Sequence, residues 1–140
     1  MVIKNISLSK VKKVGDLHWE VQQWKSLLQF MDDEYIFIER LLSSSVFKDN
    51  TPNLFERLHD FNTRLQKANN NNHDLKVQIA RHENNLGNLS EIDEIATNSE
   101  YFKKNSQIQK EVEECLNNFK NLKAEVFNYV GGLLKKRPPQ

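Results

Sequence analysis

The chain predicts an all-α fold, an antiparallel up-down-up bundle of three long helices with an irregular N-terminal arm. Three observations predict it. The 140 residues include only four Gly and three Pro, too few for a β fold that turns every 8–12 residues or so. Apolar residues recur at steps of four and three along three long stretches, the repeat of helices that share a seam. Short links join the stretches, and long helices on short links fold back on one another.

The first helix is expected at about 16–44, with the seam Leu17, Val21, Trp24, Leu28, Met31, Tyr35, Ile38 and Leu42. Asp16 is expected to cap it, because a carboxylate can accept an orphan backbone N–H. Ser43 to Ser45 loosen its far end. The second helix is expected at about 52–88. Thr51 can cap it, and Pro52 suits a first position that needs no N–H. Its seam runs Leu54, Leu58, Phe61, Leu65, Ala68, Asn72, Leu75, Ile79, His82, Leu86 and Leu89.

The run Asn69 to Asn72 has the composition of a loop. The repeat nevertheless passes through it in phase, which a hairpin loop would not preserve. One continuous helix is therefore expected; a break near 69–72 would give a four-helix appearance. Ser90 can open a short turn carrying Ile92 and Ile95. The third helix is expected at about 99–135, capped by Asn98 or Ser99. Its seam includes Tyr101, Asn105, Ile108, Val112, Cys115, Phe119, Leu122, Val126, Tyr129 and Leu133. Gly131 and Gly132 weaken its end, and Pro138 and Pro139 stop any continuation. The bundle domain is thus 15–136, between a basic arm at 1–14, extended or a short strand, and a tail at 137–140.

Charge is nearly balanced, 20 basic residues against 19 acidic, for a net +1. It is unevenly spread. Residues 1–14 carry four Lys and no acid, and residues 131–140 carry two Lys and one Arg, so the remainder is −6. In an up-down-up bundle these basic ends lie at opposite poles and form no single phosphate-binding surface. A nucleic-acid partner is not expected of the bundle; a nucleic-acid-associated regulator using the tails stands as an alternative. One Cys excludes an intramolecular disulfide and a cysteine-built zinc site. The N-terminal stretch lacks the apolar core of a secretory signal. The longest apolar run, Tyr35 to Ile38, is far short of a membrane span. A cytoplasmic protein with no membrane partner is expected.

Catalytic and metal patterns are weak. A di-metal bundle needs a Glu-x-x-His pair on each of two helices. This chain has one such spacing, Glu56 to His59, and it lies off the seam of its helix. No two His of the four stand four apart on one face. The carboxylate runs Asp32 to Glu34 and Glu111 to Glu114 read as solvated helix faces. Cys115 falls on a seam, where a thiol behaves as a small hydrophobe. No phosphate loop or nucleophile elbow is present. No cofactor, metal or small-molecule substrate is expected, and no enzyme; a metal- or small-ligand-binding bundle enzyme is the alternative.

Two groups of residues stand out instead. The first helix has an apolar arc of about 160°, with Leu27, Phe30, Phe37 and Leu41 beyond its seam. Either the helix is deeply buried, or the N-terminal arm covers the excess, or these residues face a partner helix, from another protein or a second copy. The second group is Trp24, Asn72, His82 and Asn105, polar or polar-tipped residues on the seams. A buried amide must find a partner. Folding back about residue 48 puts Asn72 near Trp24, and folding back about residue 95 puts His82 near Asn105. Such pairs fix helix register. The expected function is a non-catalytic protein–protein interaction or assembly module, with a homodimer through helix 1 as one form.

Overall fold

The computed structural model describes residues 11–44, 47 and 53–136. Its elements in chain order are β1 (Val11–Lys13), α1 (Val14–Leu42), α2 (Leu54–Leu86), β2 (Glu94–Ala96) and α3 (Glu100–Lys136). The three helices pack on one another as the sequence predicts. Cross-helix contacts set the directions. Lys25 meets Glu83 while Asp32 meets Lys76, so α1 and α2 are antiparallel. His82 meets Asn105 while Arg64 meets Glu125, so α2 and α3 are antiparallel. α1 and α3 therefore run parallel, with Trp24 on Gln109 at one end and Phe37 on Phe127 towards the other.

The core is the meeting of the three seams. Trp24, Phe61, Leu17, Leu28, Met31, Ile38, Ile79, Leu86 and Ile108 are fully buried, and Phe119, Leu122 and Val126 continue the layer along α3. Burial of a side chain of this size contributes about 1.5–3 kcal/mol, so the helices are held by packing rather than by intrinsic propensity. α2 passes through Asn69 to Asn72 unbroken. Asn has modest helix propensity, and the flanking Leu65, Leu75 and Ile79 bury enough surface to override it.

Several boundaries differ from expectation. α1 begins two residues before Asp16, and no side chain caps it. The reason is a backbone substitute. The Val14 and Gly15 N–H groups donate to the Asp93 and Glu91 carbonyls at 2.9 and 3.0 Å, so these orphan donors of the first turn are satisfied by the α2–α3 link. Asp16 sits in that turn as a charge favoured by the helix dipole. The link lies so close that a Cβ on Gly15 would stand 3.2 Å from the Glu91 carbonyl oxygen. Residues 11–13 are not irregular: β1 pairs antiparallel with β2, Val11 with Ala96 and Lys13 with Glu94. The remainder of the arm lies outside the described residues.

α1 ends at Leu42, with the Ser43 Oγ donating back to the Glu39 carbonyl. The Thr51 and Pro52 assignments lie outside the described residues. The described start of α2 is Leu54, preceded by Asn53 at φ 62°, a left-handed conformation that Asn tolerates. Ser99 caps α3, its Oγ accepting from the Phe102 N–H at 3.2 Å. α3 runs straight through Gly131 and Gly132 to Lys136. The 137–140 tail lies outside the described residues.

Candidate functional site: the α1–α3 face

Each pair of helices borders solvent along one flank, and the flanks differ. The α1–α2 flank is bridged by polar groups. Glu83 accepts from Gln22 at 2.9 Å and from Lys25 at 3.1 Å, and Asp32 pairs with Lys76. The α2–α3 flank is bridged by a two-pronged Arg64–Glu125 pair and by Lys104 donating to Gln78. Those contacts hold Glu83 and Glu125 below the ordinary carboxylate range. For Glu83 burial pushes the other way, and Lys25 and Gln22 prevail; for Glu125 the Arg64 hydrogen bond dominates.

The α1–α3 flank is apolar. Phe30 is 62% exposed and Phe37 58% exposed, while Leu27 on α1 and Phe127 and Leu134 on α3 are each about half exposed. Phe37 and Phe127 touch across the groove, ring centroids 6.3 Å apart and tilted by 57°. One ion pair interrupts this surface: Lys123 of α3 donates to Glu34 of α1 at 2.5 Å, with both side chains mostly buried. The helix geometry explains the grouping. At 100° per residue, Leu27, Phe30, Glu34, Phe37 and Leu41 form one stripe on the α3 side of α1. Leu116, Lys123, Phe127 and Leu134 form the facing stripe on α3.

Three of the four partner-surface residues named from sequence, Leu27, Phe30 and Phe37, therefore stand exposed. Leu41 is half-buried against the core and lies at the rim. Sequence reasoning missed Phe127 and Leu134. Each follows a buried seam residue, Val126 and Leu133, and tracing the flank of α3 as well as its seam would have found them.

The polar seam residues are placed as follows. The expected Trp24–Asn72 contact does not form. The Trp24 Nε1–H donates to Gln109 Oε1 on α3. Asn72 Nδ2 donates to the Leu28 carbonyl and to Asp32 Oδ1, both at 3.1 Å. The physical reason is an axial stagger of α2 along α1, read from the Lys25–Glu83 and Asp32–Lys76 pairs. Fold-back is centred a few residues later than 48, which moves Asn72 one to two turns along α1. His82 and Asn105 are both buried, and His82 Nε2 hydrogen-bonds Asn105 Oδ1. Burial lowers the His82 pKa, and neighbouring Lys104 and His18 add to this against the Asn105 bond. Glu20 on α1 is pushed up by burial against the opposing pull of Lys12 and Asn105.

Chemistry elsewhere is sparse. Among the described residues no three His, Cys, Asp or Glu are grouped to hold a metal. Glu56 and His59 are exposed on α2. Cys115 lies buried against Met31, its Sγ 3.8 Å from the Met31 sulfur, and burial pushes its thiol up, away from the reactive thiolate. Arg81, His82, Tyr101 and Lys104 line a half-open groove of about 490 Å³ between α2 and α3. Glu100 also lines it, one acid against two cations. No described helix is long and apolar enough to cross a membrane. Compared with known families, curated proteins and solved structures, the chain matches none.

Proposed function

We propose that this chain is a non-catalytic association module that packs the α1–α3 face against a partner helix. One observation carries the reading: the Phe37–Phe127 pair stands in water amid Leu27, Phe30 and Leu134, while both other flanks are bridged by polar side chains. Isolated exposed apolar residues are ordinary, but a contiguous patch rimmed by polar groups marks a contact surface. A cytoplasmic setting belongs to the same reading, and a buried free thiol suits it.

Hydroxyl-radical footprinting tests this. In a concentrated extract of its own cells, Phe30, Phe37 and Phe127 oxidise more slowly than in the isolated protein at high dilution. Phe55 and Ile92, exposed elsewhere, oxidise equally in both. Equal oxidation of all five residues would remove the association reading.

A further inference from the structure

The association reading leaves the partner open, and the α1 stripe narrows it. The stripe is nearly a palindrome about Glu34. Leu27 and Leu41 lie seven residues to either side, and Phe30 and Phe37 lie four before and three after. Seven residues are about two helical turns, roughly 10.5 Å.

We infer that the occupant of the α1–α3 face is a second copy of this chain, packed antiparallel about a two-fold axis that crosses α1 at Glu34. This rests on the association reading above. Rotation about that axis lays α1 on α1. Leu27 then meets Leu41 of the second copy, and Phe30 meets Phe37 of the second copy. A two-fold interface requires one surface to complement itself, and this stripe brings Leu to Leu in register and Phe to Phe within one residue of it.

Charge and area agree with this occupant. At the axis, Glu34 of each copy is already neutralised by its own Lys123, so two identical faces approach without net repulsion. The antiparallel arrangement also opposes the dipoles of the two α1 helices, which a parallel pair would align. The exposed portions of Leu27, Phe30, Phe37, Phe127 and Leu134 amount to about 500 Å² of apolar surface, taking roughly 200 Å² for a large side chain. A standard interface covers about 800 Å² per partner, of which about 60% is apolar. The patch is therefore the size of one half of such an interface.

Sedimentation and cross-linking test the inference. The purified protein is expected to sediment at twice its 16.5 kDa chain mass in the micromolar range. Phe30→Asp combined with Phe37→Asp weakens the dimer by about 100-fold or more, since both rings are central anchors. Far-UV circular dichroism confirms that the variant keeps its helices, and Phe55→Asp, on another surface, leaves the dimer intact. In a Cys115→Ser background, Glu34→Cys joins two copies through a short bismaleimide. Leu27→Cys does not, because two such residues stand about 21 Å apart along the axis.

A monomer throughout the micromolar range would overturn the second copy, and footprint protection in extract would then still hold for another partner. A dimer that survives both Asp substitutions would overturn the face itself. Cross-linking of Leu27→Cys as readily as Glu34→Cys would overturn the antiparallel axis.

Discussion

The flank between α1 and α3 and the two flanks of α2 cover the same core with opposite materials. Around α2, Lys25, Lys76 and Arg64 reach across to Glu83, Asp32 and Glu125. Their stems shield apolar surface while their charges stay in water. Between α1 and α3, among the described residues, only Glu34 and Lys123 do this, and the positions around them include Phe and Leu. A finished protein surface looks like the α2 flanks. The difference supports the proposal that α1–α3 is the flank left for another chain.

Five measurements test that contrast. The largest effect belongs to the core beneath all three flanks. Trp24→Ala should cost about 3–5 kcal/mol in denaturant unfolding, a loss that no flank residue approaches. If an ion pair on an α2 flank costs as much, the flanks and not the core hold the bundle.

Asn72→Leu comes next and works in the other direction. Asn72 has a buried Oδ1 without a hydrogen-bond partner among the described residues, while Asp32 keeps Lys76. The substitution should raise stability by about 1 kcal/mol with the fold intact and register less well defined. A strong loss would show that the Leu28 and Asp32 bonds matter more than the orphan oxygen.

Acidification separates the buried polar cluster from the surface pairs. His82 has a folded pKa below its unfolded value because burial disfavours its charged form. The unfolded chain therefore takes the proton first, and stability present above pH 6.5 is lost as pH falls through the unfolded and then the folded value. The melting temperature should decline below about pH 6.5, and His82→Gln should flatten that decline. Glu83 and Glu125, both lowered, contribute their loss only below the ordinary carboxylate range. Glu20, raised by burial, acts in the opposite sense, since the folded state then holds its proton more tightly.

Arg64→Ala should cost no more than about 1 kcal/mol and less in high salt, as befits an exposed pair. The smallest effect is Phe30→Asp on the unfolding of the dilute monomer, within about 0.5 kcal/mol. A residue that barely affects folding yet sets the mass of the particle would put the contrast between flanks in its sharpest form.

Much of this architecture was legible in the sequence. An unbroken four-three repeat carries phase through a loop-like Asn run, and phase decided that α2 is one helix. The His82–Asn105 neighbourhood followed from fold-back because the α2–α3 link is compact. The Trp24–Asn72 pairing failed because periodicity tells which residues face inward but not how far two antiparallel helices slide along each other. A slip of one turn exchanges one partner for another. The Asp16 cap failed for a related reason: the α2–α3 link supplies the acceptors, and nothing local to residues 13–16 records that. Phe127 and Leu134 stand beside the seam rather than on it, although their seven-residue spacing along α3 matches the stripe on α1.

The β1–β2 clasp has a consequence for the order of folding. It joins residues 11–13 to residues 94–96, closing a loop of about 80 residues whose entropy cost is roughly 4 kcal/mol. Three paired residues cannot meet that cost by themselves. Only after α1 and α2 have docked are the two strands brought near enough to pair. The clasp should therefore close last and open first, and the amide hydrogens of Lys13, Val14 and Gly15 should exchange before those of the core while the helices remain assembled.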